Sequence, residues 1–522
     1  MNIKIGILRG HAGWSILLQQ IGIPHAVITD SLLPDEFSVV VVSDTVDDRE
    51  SEMIRQYLAL GGAVLCSVKV YARIRQITAQ IGYIDYLVPG QQSAFHSIGL
   101  VDIYARCQLA WNANDLKTNR GSFSAHVGTR PDDLVIALPF DPATLVLDQR
   151  SAVKSFYSSE RRLPFETVSK VSKGEIRALV LRCLEILHHR RGMPFVHLWN
   201  FPHGARSLFC LRIDTDNGTE EQLRNLSRVL HQHEISATWF VDAKNHSKSI
   251  KSYTEQDEQE LGLHCFLHET FPDYERNVQN IRKAQKLFRG SGIRLQGFAA
   301  PFGSWNEELG RAIVDCGFDY SSEFSYDYDN LPSVPQLQGG DGVLQIPIHP
   351  ICIGSLNRNG YDSEQMIRYF ASVMERKLAV QEPLIFYHHP RDMHPDVLQW
   401  LFQEMRYKKV PVKTMGEFAA WWKMRSASIP ELQYANGKVR SSGVRFDKSV
   451  YMHLVHPDGR EAIIPASEQI VLETVRWEKT SSAWTMPDDY VRARRFNYRI
   501  PLVRGVNAAM NFVQKKKVQR TK

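Results

Sequence analysis

The chain has 522 residues, 43% hydrophobic and 23% charged, which exceeds one ordinary core and excludes a polar, disordered polymer. Lys+Arg 63 against Asp+Glu 57 leaves a formal charge of +6, too mild over this length to call for a nucleic-acid partner. No run approaches the roughly 18 uncharged apolar residues of a membrane span, so no transmembrane segment is expected.

The amino terminus, Met1 to Leu8, alternates like a strand and lacks the apolar core and cleavage site of a signal peptide. Seven cysteines are scattered without a Cys-x-x-Cys, as befits buried thiols in a reducing compartment; a cytoplasmic location is expected. Ile3 to Leu8 reads as a strand, Gly13 to Ile21 as a helix and Ala26 to Ile28 as a short strand. Phe37 to Ser43 is a β-branched run of the kind found in buried parallel strands, and Asp48 to Leu60 is a helix stopped by Gly61-Gly62. With the strand Ala63 to Ser67, residues 1–125 are expected to form a flavodoxin-like, doubly wound α/β domain. This part resembles the class I glutamine-amidotransferase-like fold, but Cys66 lacks the Gly-x-Cys-x-Gly elbow, which points to a structural or binding role. Residues 126–200 read as a linker with one amphipathic helix, Gly174 to His189, ending at Arg190-Arg191-Gly192-Met193-Pro194.

Residues 201–427 again alternate strands and helices. Helices are expected at Asp273 to Arg289, Asn306 to Cys316, Ser363 to Lys377 and Pro395 to Tyr407, and strands at Ala237 to Val241, Leu344 to Pro347, Leu384 to Tyr387 and Val410 to Val412. After 428 come short alternations with turn signals at Gly437, Ser441-Ser442-Gly443 and Pro457-Asp458-Gly459, so 428–522 is expected to be a small β-rich appendage. Its basic tail, Lys515-Lys516-Lys517 to Arg520 and Lys522, is either simply solvated or makes weak contact with an anionic membrane surface.

The chemistry concentrates in two stretches. Leu208 to Ile213 is an apolar strand ending in Asp214-Thr215-Asp216, and about fifty residues later comes His264-Cys265-Phe266-Leu267-His268. An Asp-x-Asp at a strand's carboxyl end sets two carboxylates on a barrel's active-site rim. Two histidines four apart are expected on one face of a helical turn, able to share a metal. One carboxylate and two imidazoles leave a position open for water, the pattern of a catalytic zinc site, and the other carboxylate is free to act as a general base.

These residues resemble the motifs of the polysaccharide deacetylase domain, also called NodB-homology or carbohydrate esterase family four, over about 205–425. The resemblance implies a distorted, incomplete (β/α) barrel that uses a divalent metal to remove acyl groups from amino sugars. By position, Asp214 would be the general base and Asp216 a metal ligand, with His264 and His268 completing the triad; Cys265 replaces the family's small hydroxyl residue. Ala299-Ala300-Pro301-Phe302-Gly303 matches the family's Arg-x-Pro-Tyr-Gly, so the Phe302 backbone N–H is expected to bind the oxyanion. Ala299 loses the Arg that pairs with the base in the family. Arg212, two residues before Asp214 and so on the same strand face, is the candidate replacement, against a structural ion pair in the barrel floor. Pro383 to Pro390 matches the motif that ends in the general acid; the His-Pro ending suggests His389, and His388, which would then face the other side, is the alternative. Tyr326-Asp327-Tyr328-Asp329 offers an acid to tune that histidine or aromatics for the sugar, or is a surface turn.

The expected activity is metal-dependent hydrolysis of an N-acyl group, N-acetyl foremost, on a carbohydrate substrate, with zinc or another divalent ion at Asp216, His264 and His268. A nucleotide- or lipid-linked intermediate of surface polysaccharide synthesis fits a cytoplasmic enzyme. The alternatives are an inactive barrel that binds glycan or scaffolds, and an amidase on a small non-sugar amide.

Overall fold

The computed structural model describes residues 1–500 apart from 30, 91–92, 110–115, 120–125, 128–133, 217, 247–248, 250–258, 290–292, 393, 480–483 and 496–499. The basic tail at 515–522 lies outside the described residues.

Seven strands form one parallel sheet: β1 (Phe209–Asp214), β2 (Ala237–Val241), β3 (Glu260–Leu263), β4 (Gly297–Phe298), β5 (Tyr320–Ser321), β6 (Leu344–Gln345) and β7 (Leu384–His388). Their order is β6-β5-β4-β3-β2-β1-β7, and every neighbouring pair is parallel. All residues of β1, β2 and β7 are buried, which is why these strands read as continuous apolar runs. Helices return the chain between strands and begin at strong caps. Thr219 and Gln222 make a capping box before Glu220–Gln232, whose Leu223, Leu226 and Leu230 stripe faces the sheet. Asp362 and Gln365 do the same before Ser363–Ala379. Among the described residues β6 and β7 do not pair, so the sheet is a curled, incomplete barrel. The chain after β6 partly bridges the gap, the His349 N–H donating to the Ile385 carbonyl at 2.9 Å. Val410 to Val412, expected as a strand, makes only an isolated bridge from Val412 to Phe209. Pro411 has no N–H with which to extend the ladder.

The amino-terminal sheet runs, in spatial order, His25–Val27, Ile5–Ile7, Val39–Val41, Ala63–Ser67, Val135–Leu138 and His126–Val127, parallel except for the last. The sheet continues beyond residue 125. Helix Lys173–Arg190 packs into the same core through Ile176, Leu179, Cys183 and Leu187, so 126–200 is not a linker. The carboxyl-terminal strands are joined to this core as well. Tyr451–Val455 pairs antiparallel with Phe195–Leu198, and Leu432, Val439, Met452 and Leu454 share a cluster with Ile5 and Trp14. The region after 428 is therefore β-rich but not a separate appendage; the strand that joins it to the amino-terminal core, Phe195–Leu198, lies more than 200 residues away and leaves no local trace in the sequence. No helix among the described residues is long and apolar enough to cross a membrane.

Two buried charge clusters hold the parts together. Arg425 donates to the carbonyls of Ile21 at 3.0 Å, Leu198 at 2.8 Å and Trp199 at 2.8 Å. Asp102 accepts from Arg494 at 2.8 and 2.9 Å and from Lys154 at 2.9 Å, with no exposed side-chain surface. Removing the single carboxylate would strand two buried cations. Asp102→Ala is expected to lower stability by about 3–5 kcal/mol in urea titrations followed by near-ultraviolet circular dichroism, with much of the loss recovered when Lys154 and Arg494 also become methionine.

Candidate active site and metal centre

The carboxyl-terminal ends of the barrel strands converge on one cavity of about 570 Å³. Asp214 is the last residue of β1 and lies on the same face as Arg212. The two form a bidentate pair, Nε to Oδ1 at 2.7 Å and Nη2 to Oδ2 at 2.7 Å, and Arg212 is fully buried. Arg212 Nη1 also donates to the Ser322 carbonyl at 2.6 Å, beyond the end of β5. Burial alone would raise the Asp214 carboxyl, but the Arg212 guanidinium, joined by His264 and His389, holds the group below the usual carboxylate range.

Asp216 follows in a left-handed turn, φ +38°. Its Oδ1 lies 3.2 Å from His264 Nε2 and 3.0 Å from His268 Nε2, and the two Nε2 atoms are 3.2 Å apart. The imidazoles do not share a helical turn as expected. His264 directly follows β3, Cys265 takes φ +66°, and the loop bends so that both rings meet the carboxylate. A positive φ one residue into the motif breaks helical continuation, so the convergence comes from the loop. Asn280, on helix Tyr274–Arg289, braces it: its Oδ1 accepts from Leu267 N–H at 2.7 Å, and its Nδ2 donates to the carbonyls of Leu267 at 3.2 Å and Glu269 at 3.0 Å.

Three donor atoms so close together suit a cation. His264 Nδ1 donates to the Ala299 carbonyl at 2.8 Å, which leaves the neutral ring with a bare lone pair on Nε2, aimed at Asp216. Burial opposes charge on both residues. The imidazole hydrogen bonds nevertheless hold Asp216 far below the carboxylate range, and Asp214 and Asp216 lift His264 above its ordinary value. Both shifts report a demand for positive charge at this point. Two imidazole nitrogens and one carboxylate oxygen match a zinc site with an open position. Ala299 thus works through its backbone.

Phe302 adopts φ +58° in the turn Pro301–Gly303. The N–H groups of Gly303 and Ser304 are used within the turn, to Ala300 at 3.0 Å and Pro301 at 3.2 Å. No acceptor takes the Phe302 N–H among the described residues. The Phe302 ring is 72% exposed and stands edge-on to His268, centroids 5.0 Å apart. Gly303 needs its own φ of +57°, and a Cβ there would lie 2.4 Å from the Phe324 ring. Glu323 braces the turn by accepting from Ala300 N–H at 3.1 Å; burial pushes its carboxyl up to about 7.

His389 faces the triad, its Nε2 3.6 Å from Asp216 Oδ2. Its Nδ1 is held by Asp392 Oδ2 at 2.9 Å, and although burial disfavours the charged ring, Asp392 and its neighbours lift it well above its ordinary value. His388 turns the other way, lining a separate small cavity with Leu226 and Leu398. Tyr326 to Asp329 neither tunes His389 nor lines the cavity, and it is no surface turn. Tyr326, Asp327 and Tyr328 are buried, and the half-buried Asp329 pairs with His349 at 3.0 Å and Lys377 at 2.7 Å. The cavity wall also includes Phe165, Glu166, Arg358, Asn359 and Arg391, which no motif marked. Asn280, Glu323 and Asp392 were likewise unmarked; only Asp392, three residues beyond His389, lies near enough to a motif to have been noticed.

A curled parallel half-barrel with a cluster of candidate ligand residues on its rim defines an α/β barrel domain. Residues 209–321 match the family model described as polysaccharide deacetylase, so the chain carries a domain of that family. Among solved structures, a Mycobacterium smegmatis protein provisionally assigned as a polysaccharide deacetylase aligns at 15% identity and TM-score 0.38, over 45% of this chain and 96% of its own. The allantoinase PuuE aligns at 15% identity and TM-score 0.37, over 43% and 93% of the two chains. A Bacillus anthracis pseudoenzyme of carbohydrate esterase family four aligns at 16% identity and TM-score 0.31, over 42% and 66%. No curated protein matches the sequence significantly.

Dialysis against zinc followed by metal analysis is expected to give one tightly held ion per chain. His264→Ala or His268→Ala should weaken binding more than Asn280→Ala, for which the loss is about 10–100-fold, as for other groups that orient metal ligands. His389→Ala should retain the ion.

Proposed function

We propose that the site hydrolyses an N-acyl group, N-acetyl foremost, from an amino sugar, using a divalent ion, zinc by its donor set, held by Asp216, His264 and His268. The observation that carries this reading is the close approach of three ligand atoms between an arginine-gripped carboxylate and an aspartate-gripped imidazole. A divalent cation bound there supplies Lewis acidity and an acidified water.

The protein's own groups divide the remaining work. Asp214 is the general base: each of its oxygens accepts one bond from Arg212 and keeps a lone pair for the proton of the attacking water. Arg212 acts through Asp214 as a positioning residue, fixing both oxygens and keeping the group ionised. The Phe302 N–H donates to the oxygen that becomes negative as the carbonyl carbon turns tetrahedral. His389, with Nδ1 committed to Asp392, donates its Nε2 proton to the departing amine, which is too basic to leave unprotonated.

A cavity of about 570 Å³ lies in the range of small-ligand pockets, about 300–1,000 Å³, and suits a nucleotide- or lipid-linked sugar of surface polysaccharide synthesis. Ala299, where the family has an arginine, is the observation favouring a second reading, an inactive glycan-binding or scaffolding barrel. Arg212 supplies the guanidinium at Asp214 that the second reading takes to be missing.

Zinc-loaded protein is expected to release acetate from N-acetylated sugars. Asp214→Asn should lower kcat by about 10²–10⁴ while metal content stays unchanged. Arg212→Met should lower kcat with little change in KM, since it touches the base and not the sugar. Full metal occupancy without turnover across a broad panel, sugar and non-sugar amides alike, would leave the binding barrel as the better account.

A further inference from the structure

Two guanidiniums face the cavity without a part in the chemistry above. Arg358 ends the short helix Ile353–Arg358 and donates from Nη2 to Ser355 Oγ at 3.2 Å. It makes no ion pair among the described residues. Arg391, two residues beyond His389, reaches only Asp216 Oδ2 among the described residues, at 3.7 Å, with 41% of its side chain exposed. That carboxylate is the one a cation would claim, so the metal-loaded site leaves Arg391 beside positive charge.

The cavity's anions do not balance these groups. Asp214 is answered by Arg212, Asp216 by the triad and His389 by Asp392, so Glu166 alone remains for Arg358 and Arg391. Glu166 already accepts from Thr167 N–H at 2.8 Å, and burial pushes its carboxyl up, towards the neutral form. A neutral sugar gives no reason for two guanidiniums with donors to spare. An oxyanion does, because planar guanidinium forks match phosphate and carboxylate oxygens two at a time. The bland account of Arg358, favourable placement at its helix's carboxyl end, is weak for six residues and says nothing of Arg391.

We propose that the occupant of this cavity is an amino sugar bearing an oxyanion, a phosphoryl or carboxylate group, and that Arg358 and Arg391 are the residues that select it. The proposal rests on the amino-sugar reading of the site but not on turnover.

The test is equilibrium binding to the full-length, zinc-loaded protein by titration calorimetry, with glucosamine 1-phosphate, muramic acid and glucosamine as probes. One of the two anionic sugars is expected to bind about 10–100-fold more tightly than glucosamine, as for hydrogen bonds to a charged group, and which one does so identifies the oxyanion. Arg358→Ala/Arg391→Ala should abolish that preference while keeping its zinc and its circular dichroism spectrum; Arg358→Lys/Arg391→Lys should keep part of it. Equal binding of all three probes would overturn the proposal. So would a preference that survives undiminished in the double alanine variant, since the metal and not the arginines would then hold the anion. Preference without acetate release on any substrate removes the hydrolase reading and leaves this one. Acetate release with equal kcat/KM on N-acetylglucosamine and its 1-phosphate, and equal binding, does the reverse.

Discussion

A guanidinium with no exposed surface persists in a barrel floor only where its donors are answered, and Arg212 is answered by Asp214 on two edges and by Ser322 on a third. The other features of the site are arranged around that pair. It charges a carboxylate that burial would neutralise, and it aims that carboxylate at the strand end where Asp216 turns back. Because Ser322 lies just beyond β5, the same guanidinium ties β1, next to one edge of the sheet, to β5, next to the other. Breaking such a pair by losing one member leaves a buried charge uncompensated, so position and ionisation are fixed together.

The cluster of Asp216, His264 and His268 requires two strands that are not neighbours to deliver side chains to one point. Asp216 follows β1 and His264 follows β3, with β2 between them, a separation of about 10 Å at ordinary strand spacing. The end of β2 closes the distance by bonding to both sides. Asp242 N–H donates to Thr215 Oγ1 at 2.9 Å, His264 N–H donates to Val241 O at 2.9 Å, and Ala243 N–H donates to Cys265 O at 3.0 Å. The left-handed residues Asp216 and Cys265 then turn the chain so that the side chains meet over β2. Strained backbone at Asp216, within the candidate ligand cluster, and at Cys265, beside it, is the kind of cost a fold sustains where geometry serves chemistry.

The deacetylase-type barrel was legible because its information is local: apolar runs, each ending in a chemically distinctive residue. Strand alternation was enough to set Arg212 beside Asp214 and to separate His389 from His388. The His264–His268 spacing, in contrast, carried the right neighbours with the wrong backbone, because a four-residue interval is met equally by a helix turn and by a tight loop. Asn280, Glu323, Glu166 and Arg358 left no mark, since each reaches the site from its own stretch of chain and is given its place by packing alone. The same holds for the boundaries expected at 125 and 428. A strand such as Phe195–Leu198 carries nothing in its sequence to say that its partner is Tyr451–Val455.

That long-range pairing bears on the cavity itself. Phe165 and Glu166 belong to a hairpin, Ser151–Ser155 with Phe165–Ser169, that precedes the barrel in sequence yet forms part of its wall. Its tip is fixed to barrel helix Ser363–Ala379, where Arg368 meets Glu160 at 2.9 Å. Its first strand is fixed by the carboxyl-terminal segment, where Arg494 donates to the Ser155 carbonyl at 2.6 Å while also gripping Asp102 of the amino-terminal region. Arg492 adds a bond to the Glu160 carbonyl at 3.2 Å. Both flanking regions therefore meet at the loop end of the hairpin that presents Glu166. A barrel cut out alone would keep the triad, Asp214 and His389 but lose that wall and the segments that hold it. The flanking regions, which carry no recognisable chemistry of their own, contribute by fixing the shape of the chamber in which the barrel's residues work.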